Sequence, residues 1–188
     1  MTSPKVPDRV PAGATPEGDG IVVGAGPVRV DVFIDFLCPF CRRFELAAES
    51  ALAGLVADQL ASLVYHPMNF LDEASTTHYA TRAAASSGCA ADQGRFFEYA
   101  HALFVHQPPE GGAGLSDAEL AAIGRTAGLS ETAFDACLSE GPYLDWPPYV
   151  TERADAAGVS ATPTVLVAGA AVRAEPHAIT TAVRSATT

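Results

Sequence analysis

The stretch Val30-Asp31-Val32-Phe33-Ile34-Asp35-Phe36-Leu37-Cys38-Pro39-Phe40-Cys41 decides how the rest of this chain is read. An apolar run from Val28 to Phe36 reads as a strand. It stops at a Cys-Pro-Phe-Cys turn, after which Phe44, Ala48, Leu52 and Leu55 recur at helical spacing. A strand that feeds a helix through two cysteines sets the first sulfur, Cys38, at the helix N-terminus. Unpaired backbone N–H groups and the positive end of the helix dipole favour a thiolate there. The Cys38 thiol is therefore expected to titrate below its ordinary range, as CxxC thiols do in this position. Pro39 suits the first helical turn, where its missing N–H leaves no bond unmade. Zinc ribbons and structural disulfides also use CxxC, but the strand–CPxC–helix context favours redox chemistry.

The chain of 188 residues is 48% apolar and 18% charged, which suits one domain able to bury a core without a metal. A net charge of −11 argues against nucleic acid and anionic membrane surfaces as partners. No run approaches the roughly 18 apolar residues of a membrane span. Residues 1–20 are rich in Pro, Gly, Asp and Thr and lack the apolar core of a signal peptide, so they read as a flexible arm ahead of a domain at 21–188. The protein is then either cytoplasmic, or extracytoplasmic with its export signal or anchor absent from this chain.

Ile21 to Val23 reads as a short strand before the Gly24-Ala25-Gly26-Pro27 turn. A strand follows this GxG where a dinucleotide fingerprint needs a helix, so a plain turn is the better reading. Leu60 to Pro67 reads as a further strand. From about 72 to 158 the signals are helical in series. Ser75 to Ser87 is Ala-rich, and Asp92 is placed as the cap of a helix carrying Phe96, Ala100, Leu103 and Phe104. Ser116 and Glu119 form a capping box closed by Gly128, Ser130 precedes another helix, and Asp145-Trp146-Pro147 opens the last. Strand character returns at Thr164–Val167 and Ala171–Arg173, and Glu175-Pro176 opens a final helix. The order is β-α-β, a helical block, then β-β-α.

The CPFC segment resembles the active site of the thioredoxin superfamily, and the surrounding chain is similar to DsbA-like thiol-disulfide oxidoreductases of the actinobacterial type. The resemblance implies an α/β thioredoxin fold, a central mixed sheet with a helical insertion at about 72–158. It also implies Cys38 as the attacking thiolate and Cys41 as the resolving thiol. Thr162-Pro163, just before the returning strand, matches a family Thr-Pro whose peptide bond is cis and which lies against the CxxC. That placement exposes the Thr162 backbone to pair with an extended substrate peptide, a form of strand addition. Some positions depart from the family. Phe40 stands where strongly oxidising members have His, and Leu37 replaces the Trp of thioredoxin proper. Val32 occupies the place of the buried acid six residues before the first cysteine. Asp35 is the nearest carboxylate, either a proton-transfer group for Cys41 or a solvated acid at the strand end. Arg42 and Arg43 are expected to point to solvent.

Cys89 and Cys137 are either buried small apolar residues or a second pair. The resemblance implies a structural disulfide in the insertion, which suits an oxidising compartment. His66, His78, His101, His106 and His177 show no metal-ligand spacing, so no metal is expected. The aromatic residues of the helical block are expected mostly as core. No NAD or flavin motif is present, and the cysteine pair is the expected redox centre with no cofactor. The expected activity is dithiol oxidation in unfolded or folding proteins with free thiols, with an unidentified redox partner for reoxidation and a monomeric chain. A reductase or isomerase, and a non-catalytic chaperone on the same fold, are the alternatives.

Overall fold

The computed structural model describes residues 6–187. Its element order is β1 (Ile21–Val23), β2 (Val28–Asp35), α1 (Pro39–Ala57), β3 (Ala61–Met68), α2 (Tyr79–Ala91), α3 (Phe96–Val105), α4 (Asp117–Thr126), α5 (Glu131–Glu140), α6 (Trp146–Ala156), β4 (Thr164–Val167), β5 (Ala170–Val172) and α7 (Pro176–Ala186). One sheet runs β1-β3-β2-β4-β5, with β2 parallel to β3 and the remaining pairs antiparallel. This is the thioredoxin fold, with helices α2 to α6 inserted between its two halves.

β2 is central and buried on both faces except at Arg29, with Val28, Val30, Val32, Phe33 and Ile34 in the core and the charged Asp31 and Asp35 buried among them. Its parallel pairing to β3 starts at Val28 and Ala61 and ends at Asp35 and Met68, which brings the ends of both strands out beside the CPFC turn. Behind that pairing, the Gly24-Ala25-Gly26 turn is a steric necessity. A Cβ at Gly26 would collide with the Ala61 backbone, and Gly24 has a positive φ of 87°. The core extends without a break from the sheet into the helical block. Trp146, Tyr65, Tyr79, Tyr99, Phe36, Phe104 and Phe134 are among its largest fully buried side chains.

Two expectations differ from what is seen. Residues 6–20 are not a loose arm. Their carbonyls accept hydrogen bonds from buried donors: Trp146 Nε1 to Gly18 (2.8 Å), Tyr149 OH to Glu17 (2.6 Å) and His66 Nδ1 to Asp19 (2.7 Å). Composition describes side chains, whereas this segment packs through its main chain. Residues 1–5 of the expected arm lie outside the described residues. Asp92 does not cap α3. It ends α2, and its carboxylate accepts from Ala12 N–H (2.9 Å) and Tyr143 OH (2.6 Å). Cys89 on α2 and Cys137 on α5 are joined by a disulfide.

Candidate active site

The site forms where β2 ends. Asp35 closes the strand, Phe36 and Leu37 turn the chain inward, and Cys38 is the N-cap of α1 with Pro39 in the first helical position. Helix geometry then places Cys41 one turn on, fully buried behind Cys38. Both cysteines are free thiols. Across from them the Thr162–Pro163 peptide bond is cis, and the Cys38 thiol lies 3.4 Å from the Thr162 carbonyl oxygen, to which it donates. CPFC and Thr162-Pro163, more than a hundred residues apart in the chain, therefore meet at one point.

The two thiols are electrostatically unlike. The Cys38 pKa is lowered to about 6, first by the hydrogen bond that the Cys41 thiol gives it. Burial opposes this, and the Thr162 hydroxyl and the N–H groups of Cys41 and Phe40 reinforce it. Cys41 is raised well above the ordinary thiol range, chiefly by burial and then by its bond to Cys38. Phe40 contributes through its backbone alone, because its ring stands 61% exposed.

Asp35 is not a solvated strand-end acid. It is fully buried, and its carboxylate accepts from Leu37 N–H (2.8 Å) and Leu71 N–H (2.7 Å). Its own N–H points at Cys41 Sγ at 3.5 Å. Burial raises its pKa to about 7 against the pull of those two N–H groups, and the charge on Cys38 adds to the rise. Arg42 and Arg43 are exposed but not idle. Arg42 Nε donates to the Phe104 carbonyl (2.9 Å), and the Arg43 guanidinium sits 5.5 Å over the Phe40 ring.

Several polar residues in the site and elsewhere in the core escape the sequence reading. Gln107 Nε2 donates to the carbonyls of Phe36 (2.9 Å) and Cys38 (3.0 Å), tying the loop after α3 to the CPFC turn. Nothing local marks a glutamine in a Pro/Gly loop as a partner for residues some seventy positions away. Glu45 is only 2% exposed, with its carboxyl pushed up to about 8 by burial. Here a signal existed. Cys41, Glu45, Ala48, Leu52 and Leu55 share the buried face of α1, so Glu45 interrupts an apolar stripe. Asp31 and His66 pair across β2 and β3 at 2.9 Å, with Arg29 on the same carboxylate. Burial pushes Asp31 up, but the bonds from His66 and Arg29 together bring it below its ordinary value.

A family model described as "Thioredoxin" matches residues 17–183. The chain belongs to the thioredoxin family. Among solved structures, this thioredoxin-family chain is similar to the reduced disulfide bond oxidoreductase DsbG of Mycobacterium tuberculosis. The two are 31% identical over 89% of this chain and 87% of that one, with a TM-score of 0.78. Oxidised DsbA of the same organism matches at 31% identity over 89% and 92%, also with a TM-score of 0.78. These likenesses place it among the DsbA-like thiol-disulfide oxidoreductases. MdbA from Corynebacterium diphtheriae, 19% identical over 96% and 95% with a TM-score of 0.74, adds a likeness of fold. Among curated proteins, the serine/threonine-protein kinase PknE of Mycobacterium tuberculosis is 37% identical over 135 residues, 67% of this chain and 24% of that protein. The Na(+)/H(+) antiporter NhaA 1 of Mycolicibacterium gilvum is 32% identical over 143 residues, 76% of this chain and 22% of that protein. The chain thus spans about a quarter of the length of those curated relatives or less. Among the described residues no cluster of three or more potential metal ligands occurs, and no helix is long and apolar enough to cross a membrane.

Proposed function

We propose that this chain is a dithiol oxidase that forms disulfides in folding proteins through Cys38 and Cys41. The observation that carries the reading is the split between the two thiols, with Cys38 lowered to about 6 and Cys41 raised. In the oxidised enzyme a substrate thiolate attacks the Cys38 sulfur. The enzyme S–S bond breaks, a substrate–Cys38 bond forms, and Cys41 leaves and takes up a proton, as its raised pKa favours. A second substrate thiolate then attacks the substrate sulfur and expels Cys38 as a stable thiolate. The substrate has lost two electrons and the enzyme disulfide has gained them. A low pKa at Cys38 favours this direction, because it stabilises the reduced enzyme and makes Cys38 a good leaving group.

Thr162 and Pro163 serve as the platform that pairs with the extended substrate segment. Asp35, titrating near neutrality with its backbone N–H against Cys41 Sγ, is the group in this reading that exchanges protons with Cys41 as the disulfide opens. A partner carrying a stronger oxidant, disulfide or quinone in kind, restores the Cys38–Cys41 bond. The internal Cys89–Cys137 disulfide supports work in an oxidising, extracytoplasmic compartment.

The test is the reduction potential of Cys38–Cys41 against glutathione, measured together with the oxidation of a reduced unfolded protein. A potential near about −120 mV, with catalysis abolished by Cys38→Ser, is expected. A potential near about −270 mV would overturn the oxidase reading in favour of a reductase.

A further inference from the structure

We infer that Arg42, Arg43 and the groove they line form a docking site for acidic peptide segments, so that the favoured substrates are thiols flanked by Asp or Glu. The inference rests on the exchange proposed above and names its substrate class. An open groove of about 890 Å³ runs beside the nucleophile, lined by Leu37, Pro39, Arg42, Arg43, Leu46 and the Pro108–Pro109 rim among others. Its apolar parts include Leu46, 43% exposed. Gln107 anchors the far rim directly to the Cys38 and Phe36 carbonyls, so groove and thiol are held as one unit. An extended segment covers about 3.3 Å per residue, so three or four residues beyond a cysteine held at Cys38 reach along it.

In a chain of net charge −11, Arg29, Arg82, Arg95, Arg125, Arg153 and Arg173 each pair with a carboxylate. Arg42 and Arg43 pair with none among the described residues. Arg42 gives one N–H to the Phe104 carbonyl and keeps its terminal nitrogens free, and Arg43 lies over the Phe40 ring. Two guanidinium groups without a carboxylate partner thus line the groove that Leu37 and Pro39, the neighbours of Cys38, also line, with Glu110 the carboxylate on the lining. The acidity of the whole chain does not cancel them, because charges beyond about 8 Å are screened at physiological salt. Guanidinium forks suit bidentate binding of carboxylates.

Three peptide dithiols that differ only in the residues flanking one cysteine, Asp/Glu, Ser or Lys, test the inference. Their oxidation by the oxidised enzyme is followed by stopped flow at 0.15 M and 1 M salt. The acidic peptide is expected to react about tenfold faster than the Lys peptide at the lower salt, with the ratio shrinking at the higher, the size of effect local steering gives. In Arg42→Gln/Arg43→Gln the ratio should fall to about one, and Arg42→Lys/Arg43→Lys should restore most of it. Equal rates for the three peptides, a faster Lys peptide, or a ratio that survives the Gln pair would overturn the inference. If the parent oxidises none of them, the oxidase reading fails separately. The same ratio is then read from attack of the reduced enzyme on the disulfide forms of the peptides, with the same outcomes deciding.

Discussion

At the scale of single residues, α1 carries its chemistry on one buried stripe, where Cys41 and Glu45 lie four positions apart. Glu45 is a carboxyl without a cation. One oxygen has no hydrogen-bond partner, and the Tyr65 hydroxyl nearby is likewise unpaired. Burial raises its pKa from 4.5 to about 8, with the Tyr65 hydroxyl pulling the other way and Glu49 adding to the rise. A folded-state pKa above the unfolded one means the neutral form is what the fold prefers. That contribution is complete below about pH 4.5 and is lost as pH rises toward 8. Glu45→Gln keeps the shape of the neutral acid and removes the titration. Thermal melts should therefore show the variant equal to the parent near pH 4 and more stable at pH 8 to 9. A variant destabilised equally at both pH values would show that the carboxylate, not the acid, is what the core holds. The same stripe explains a miss in the sequence reading. The family's buried acid position before Cys38 is Val32 here, whereas the acid this fold buries is Glu45, visible in the sequence only as a break in the apolar stripe of α1.

At the scale of elements, helix starts were readable wherever the capping atoms lie within the element itself. Ser116 and Glu119 form the expected capping box, with the Ser116 hydroxyl accepting from Glu119 N–H (3.3 Å) and the Glu119 carboxylate accepting from Ser116 N–H (2.7 Å). Ser130 occupies the same position before α5 yet makes no side-chain cap. Ser116→Ala should thus cost about 0.5–2 kcal/mol in urea unfolding, and Ser130→Ala distinctly less. Asp92 illustrates the limit of such local signals. A carboxylate is as good an acceptor for Ala12 N–H and the Tyr143 hydroxyl as for a helix start, and only the assembled fold chooses. β2 was legible because Val28, Val30, Val32, Phe33 and Ile34 outnumber its charged positions Arg29, Asp31 and Asp35. The pairing of Thr162-Pro163 with CPFC was legible only through the family resemblance, since neither segment alone encodes the other.

At the scale of the whole molecule, the helical layer is held by a covalent link between α2 and α5, separated by 48 residues. Closing a loop of that length restricts the unfolded chain, and losing a native bridge typically costs about 2–5 kcal/mol. Cys89→Ala/Cys137→Ala should lower stability by that amount in urea unfolding with the active-site cysteines kept reduced. The enclosed loop contains Gln107 and the Pro108–Pro109 rim. The double variant should also show faster hydrogen exchange there, and slower turnover, than at α7, which lies outside the loop. Residues 6–20 act at the same scale, since a segment that is polar by composition is fixed by donors from β3 and α6.

The Cys89–Cys137 bond reaches beyond stability. Cys38, Cys41, Cys89 and Cys137 all leave synthesis as thiols, and the Cys89–Cys137 pair is oxidised in the finished fold. The protein carries within itself a specimen of the bond its active site is proposed to hand on. Its own maturation is therefore a reaction of the kind proposed for it, and older copies whose Cys38–Cys41 pair is oxidised are suitable donors for younger ones. With a disulfide oxidant such as oxidised glutathione supplied to take the electrons, a population started from fully reduced chains would gain activity with a lag and then accelerate, while one seeded with mature copies would not lag.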